Sequence, residues 1–202
     1  MRIIFLRQLK RNNMPITIGA KQESGFDDPI GLLGDCHRRI EQFLSILVAV
    51  ADQARGRRLN HDQRIALETA LRYFREAAPK HTADEEESLF PLLCRTGNLE
   101  PAILAEIVVL QEDHGQATMY HHQTDRIGCR WLANGELQAD ELEALTIALN
   151  ALTNLYRGHI KVEDEVVFPR AVQALSDSEK AQLGCEMASR RGLRQGMMAE
   201  ST

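Results

Sequence analysis

An eleven-residue pattern occurs twice in this chain. His81-Thr82-Ala83-Asp84-Glu85-Glu86-Glu87-Ser88-Leu89-Phe90-Pro91 is echoed by His159-Ile160-Lys161-Val162-Glu163-Asp164-Glu165-Val166-Val167-Phe168-Pro169, and both read H-x-x-x-E-x-E-x-x-F-P. At about 100° of rotation per residue, a His and a Glu four apart share one helical face, one turn from each other. An imidazole and a carboxylate are therefore placed side by side, twice, in one small protein. Such a pattern is best explained by metal binding.

The repeat reaches beyond the motif. His37 lies 44 residues before His81 and His114 lies 45 before His159, so the two halves are offset by 77 and 78 positions. Each half supplies a lone His on one helix and an H-x-x-x-E on the next. Two such helical hairpins would bring four His and two Glu to the middle of a bundle.

The 202 residues, 44% of them hydrophobic, suffice for one core and a single domain. Six prolines and scattered glycines suit long helices. The net charge of −5 and dispersed basic residues, with one small cluster at Arg190, Arg191 and Arg194, argue against a nucleic-acid surface. Cys36, Cys94, Cys129 and Cys185 form no C-x-x-C and read as reduced thiols. The apolar run Ile3-Ile4-Phe5-Leu6 is too short to span a bilayer or to serve as a secretory signal. Met14-Pro15 is a plausible alternative start. The expected location is the cytoplasm.

Residues 1–27 read as a flexible N-terminal extension. Asp28-Pro29 has the form of a helix cap and first position, opening a helix with Ile30, Leu33, His37, Ile40, Leu44, Leu47, Val48 and Ala51 on one stripe and ending near Gly56. A second helix starts around Asn60 to Asp62. Its stripe is Leu67, Leu71, Phe74, Ala78, His81, Glu85, Leu89 and Leu92, with a kink expected at Pro79. Thr96-Gly97-Asn98 closes it. A third opens at Glu100-Pro101 with Leu104, Ile107, Leu110, His114, Ala117 and His121 inward, ending before the Asn134-Gly135 turn. The fourth starts near Ala139-Asp140, with Leu145, Leu149, Leu152, Tyr156, His159, Glu163 and Val166 inward. Ser176-Asp177-Ser178-Glu179 has capping-box character before a short fifth helix, and a frayed tail is expected from Gly192. The fold class is therefore all-α. An antiparallel up-down-up-down four-helix bundle is expected over residues 28–175, and a short C-terminal helix and tail over 176–202.

All four His fall on core-facing stripes. The symmetric assignment gives one metal to His37 and His81 and the other to His114 and His159, with Glu85 and Glu163 bridging. Open positions are left for an oxo or hydroxo bridge and a small ligand. Iron suits this mixed N/O set better than a closed, tetrahedral zinc. Burying two carboxylates in an apolar bundle without compensation would cost several kcal/mol per ion.

Both motif copies, with the segment Cys36-His37-Arg38-Arg39-Ile40-Glu41, resemble the hemerythrin-like (HHE cation-binding) family over about residues 28–175. The resemblance implies a four-helix bundle with two non-haem iron ions, carboxylate- and oxo-bridged, held by His37, His81, Glu85, His114, His159 and Glu163. Oxygen-carrying members place a fifth His one turn after the third-helix His, and here that position is Thr118. The four-His, two-Glu set is similar to the di-iron domain of repair-of-iron-centres proteins, whose separate cysteine-containing domain this chain lacks room for. Thr118 leaves a position for water, or one reached from His121 or His122. The E-x-x-H pairs on which ferritin and rubrerythrin rely are absent.

Other residues carry two readings each. Glu41, four after His37, is either a carboxylate near the site or an Arg-paired surface residue. Asp84, Glu86, Glu87, Asp164 and Glu165 read as solvated faces, with room for one second acceptor behind a ligand. His61 reads as exposed. Tyr156 reads as packing, and Cys36 points about 100° away from His37. Three roles stay open: binding or reaction of O2, NO or peroxide in sensing or detoxification; iron handling, with an apo iron–sulfur protein as acceptor; and a non-catalytic, metal-stabilised bundle for interaction or signalling.

Overall fold

In a computed structural model the chain is described over residues 23–97 and 99–193, and it holds no strand there. Helix α1 spans Pro29–Ala54, with Asp28 accepting from the Gly31 N–H at 3.1 Å and Pro29 at its start. It stops where Arg55 and Gly56 turn left-handed, at φ 48° and 70°. Helix α2, His61–Glu76, opens with a reciprocal capping box between Asn60 and Gln63. The break expected at Pro79 falls at Ala77, where α3, Ala78–Asp84, begins.

A π-helical turn, Glu85–Leu89, follows directly and leads into α4, Phe90–Arg95. Helix α5 runs from Pro101 to Asn134 and is closed by Gly135 at φ 84°. Helix α6, Ala139–Val162, passes into a second π-helical turn, Glu163–Val167, and then α7, Phe168–Ala174. Ser176 caps α8, Asp177–Arg190.

Helix α1 packs on α2 and α6, and α5 packs on the same two. Short connections make neighbours antiparallel, which closes a four-sided bundle. Helix α8 lies against α1, α3 and the first π turn. Its Gly184 is needed there, because a Cβ would meet the Phe26 carbonyl oxygen at 2.0 Å. Of the expected N-terminal extension, residues 1–22 lie outside the described residues, while Phe26 packs on the core and the Ser24 N–H donates to Asp35 at 2.6 Å. The expected tail from 194 onward also lies outside them.

The core is in two parts. One cluster is built around Leu44, Leu47, Leu71, Trp131, Leu149 and Leu152. The other is built around Leu33, Leu89, Phe90, Leu110, Val167 and Leu183. Along every bundle edge a polar residue stands between them: His37 between Leu33 and Ile40, His114 between Leu110 and Ala117, His81 and Glu85 between Ala78 and Leu89, Glu163 between Ile160 and Val167.

Two expected core residues face outward. Leu104 is 39% exposed and Val166 is 41% exposed, while Val167 is fully buried. The second π turn explains the latter. In it the Phe168 N–H bonds to the Glu163 carbonyl five residues back, so one residue more than a 3.6-fold count allows is used before the chain faces the core again.

Candidate metal centre

The sequence feature behind both π turns is the F-P that ends each motif. In a regular helix Pro91 would present its ring to the Glu87 carbonyl and Pro169 to that of Glu165, and neither has an N–H to offer. A wider turn relieves both problems, and each turn begins at a motif glutamate. The loosened ladder lets Glu85 and Glu163 lean into the bundle, where both are fully buried.

Six side chains meet there. Glu85 Oε1 lies 3.3 Å from His81 Nε2 and 3.8 Å from His37 Nε2, and its Oε2 lies 3.4 Å from His114 Nε2. Glu163 Oε2 lies 3.0 Å from His37 Nε2 and 3.2 Å from His159 Nε2. Each carboxylate thus touches imidazoles of both halves. The rings pair, with centroids 5.0 Å apart for His37 and His81 and 4.6 Å for His114 and His159. Two groups of donor atoms each fall within 4.8 Å: His37, His81, Glu85 and Glu163, and His114, His159 and Glu163.

The donor set fits a metal. All four carboxylate oxygens of Glu85 and Glu163, and His37 Nε2, are buried and make no hydrogen bond within the protein. Five orphaned donors at one point are far from the usual state of buried polar atoms, and cations are what such a set accepts.

The far side of three imidazoles is held. Asp164 accepts from His37 Nδ1 at 2.8 Å, Glu86 from His114 Nδ1 at 2.9 Å, and Asp113 is 3.3 Å from His159 Nδ1. A carboxylate there fixes the tautomer and leaves Nε2 free to ligate. Glu86 and Asp164 are the residues directly after the motif glutamates, and each serves the lone His of the opposite half. The motif phenylalanines cross over in the same way: Phe168 stacks on His37 at 5.2 Å and Phe90 on His114 at 6.4 Å.

Burial pulls His37 down, but Asp164, Glu163 and Glu85 outweigh it and hold it at about 12. His114 is likewise lowered by burial and raised further by Glu85, Glu163 and Glu86, to about 9. Burial keeps His81 below its ordinary value despite Glu85. The Glu85 carboxyl is pushed up by burial and brought well below the carboxylate range by His81, His114 and His37.

The remaining expectations sort clearly. Glu41 is exposed and outside the group. His61 is exposed. Asp84 corrects the solvated-face reading: it is fully buried, held by Arg190 Nη1 at 2.8 Å and Arg191 Nη2 at 2.7 Å. His121 is tied instead to the buried Tyr156, Nε2 to Oη 2.7 Å, and burial pushes it down to about 4 with His122 adding to the effect. The Thr118 hydroxyl donates to the His114 carbonyl at 2.8 Å. A cavity of about 400 Å³ opens beside it, walled by Leu71, Phe74, Ala117, Thr118, His121 and Tyr156 and reaching His114.

The hemerythrin HHE cation-binding domain matches residues 28–171. The chain belongs to that family, a class of metal-binding helical bundles. An uncharacterized protein of Haemophilus influenzae (strain ATCC 51907 / DSM 11121 / KW20 / Rd) is 26% identical over 181 residues, which cover 87% of this chain and 96% of that protein. No helix among the described residues is long and apolar enough to cross a membrane.

Proposed function

We propose that this is a non-haem di-iron protein. His37 and His81 would hold one ion and His114 and His159 the other, with Glu85 and Glu163 supplying carboxylate oxygens between the pairs. Bound there, iron supplies Lewis-acid and redox chemistry toward a small ligand: O2, NO or peroxide. The role is sensing, detoxification or iron handling, the last with an apo iron–sulfur protein as acceptor.

The observation that carries this reading is the set of orphaned carboxylate oxygens facing four imidazoles, next to a cavity that reaches His114. Leu47, Leu71, Phe74, Ala78 and Ala117 give the cavity an apolar side that suits a small neutral ligand, while Arg75 and Asp125 also line it. Thr118, spending its proton on the helix, offers no ligand where a further imidazole would close the site. Burial holds His121 down and the Tyr156 hydroxyl up, so both favour their neutral forms at the cavity wall.

The deciding experiment is metal analysis and an optical spectrum of protein from iron-supplemented cells, repeated with O2, NO and peroxide. Two irons per chain and near-ultraviolet bands that change with one of these ligands are the expected result. A single zinc, or two irons with an unresponsive spectrum, would overturn the reading and leave a metal-stabilised bundle for interaction or signalling.

A further inference from the structure

The two halves of the centre match at the six inward residues, at the acid behind each lone His and at the motif phenylalanine, but not at the residue before each lone His. His37 and His114 are equivalent, as are His81 and His159, Glu85 and Glu163, Glu86 and Asp164, Phe90 and Phe168. Behind His159 stands Asp113, the residue just before His114. The residue just before His37 is Cys36. Cys36 is buried, and its Sγ takes a contact from Arg39 Nη2 at 3.6 Å. His81, only 4% exposed, is left with Nδ1 buried and without a hydrogen-bond partner.

On the reading that this site holds two ions, we propose that its two positions are unequal. The His114/His159 position is the firmly held one and the His37/His81 position the exchangeable one, because Cys36 occupies the sequence position equivalent to Asp113 and His81 Nδ1 has no carboxylate partner. By donor count the His37/His81 position is the richer, four residues against three, although Glu85 Oε2 also lies 3.4 Å from His114 Nε2, so that both carboxylates reach both pairs. The backing points the other way. A neutral imidazole that ligates through Nε2 carries its proton on Nδ1. His159, His114 and His37 each have a carboxylate to receive that proton, whereas His81 has none. Its ring is therefore less basic at Nε2, and no hydrogen bond at Nδ1 fixes its orientation. Loss of such a partner typically lowers metal affinity about 10–100-fold. Cys36 and Asp113 are thus positioning residues, acting through His81 and His159.

The test uses the full chain loaded anaerobically with iron(II) and challenged with a colorimetric chelator. Release is expected in two phases of equal amplitude, with rates about 10–100-fold apart. Cys36→Asp should slow the fast phase until the two merge, and the reciprocal Asp113→Cys should speed the slow one. A second readout does not depend on release. In the cobalt(II)-loaded protein, proton NMR should show three slowly exchanging, hyperfine-shifted Nδ1–H resonances, and Cys36→Asp should add a fourth. Single-phase release from the unaltered protein, or four equivalent Nδ1–H resonances, would overturn the proposal while leaving the two-ion site intact. Failure to take up two ions would instead overturn the site itself. If Cys36→Asp does not fold, Asp113→Cys and the resonance count decide.

Discussion

The imidazoles of this centre sit among carboxylates that hold protons on them as readily as they would orient them toward a metal, so protons and metal compete for the same six side chains. His114 is raised from an ordinary histidine value to about 9. A group whose value rises on folding stabilises the fold fully below its unfolded value, about 6.5, and that contribution is lost as pH climbs through its folded value. After chelation, the melting temperature should therefore fall as pH climbs above about 6.5, with the His114 share lost by about pH 9 and the His37 share lost only toward about 12, and His114→Gln should lessen the fall below pH 9. In the iron-loaded protein the imidazole proton is displaced and the slope should vanish. Loading near neutral pH should also release protons, seen in a weakly buffered dye assay. Loading without proton release, or equal slopes with and without metal, would contradict this account. At this scale the six inward His and Glu were legible in the sequence from spacing alone. The residues behind them were not. Glu86 and Asp164 occupy places that the motif leaves unspecified, although both copies have an acid there. Asp113 has no acidic counterpart in the other half, so comparison of the repeats could not reveal it.

Helix boundaries followed from caps and breakers that act locally. Asp28-Pro29, Asn60 with Gln63, Pro101, Gly135 and Ser176 each determine a start or stop without help from the rest of the chain. The π turns were hidden, because a 3.6-residue count assumes a regular ladder and each F-P interrupts it. The misplaced Val166 is the direct result. Also hidden was the union of α8 with the first motif, since contacts more than 100 positions apart leave no periodic trace. Arg190 reaches Asp84, Ser88 and Glu87 at 2.8, 2.6 and 3.3 Å, and Arg191 grips the other Asp84 oxygen. Asp84 is fully buried, so removing its partners strands a charge. Arg190→Ala should cost about 1–3 kcal/mol, the usual loss for one partner of a buried polar group. The double change Arg190→Ala with Arg191→Ala should cost about 3–5 kcal/mol. Adding Asp84→Asn to the double variant should recover part of that loss, because the penalty lies in the unpaired carboxylate. Urea denaturation measures all three. No recovery on adding Asp84→Asn would show that the arginines act through packing instead.

The whole molecule is two hydrophobic clusters separated by a layer of ionisable side chains, to which all four sides of the bundle contribute: α1, α3 with the first π turn, α5, and α6 with the second. Such a layer cannot close by apolar contact. Its stability depends on what its charges are paired with, and a metal that touches all four helices would join the two clusters into one cooperative unit. A ligand that binds only the folded chain stabilises by mass action, about 1.4 kcal/mol for each tenfold excess of free ion over its dissociation constant. The melting temperature should therefore rise steadily with free iron(II), and chelation should reverse the rise. Hydrogen exchange gives the sharper expectation. After chelation, amides at positions 84–90 and 162–168, where the π turns already weaken the ladder, should exchange first. Those beside Leu47, Trp131 and Leu149 in the other cluster should hold longer, and iron should restore protection to both π segments together. If protection at the π turns were indifferent to metal while the melting temperature still rose, the ion would be binding elsewhere and the layer would be held by its internal ion pairs alone.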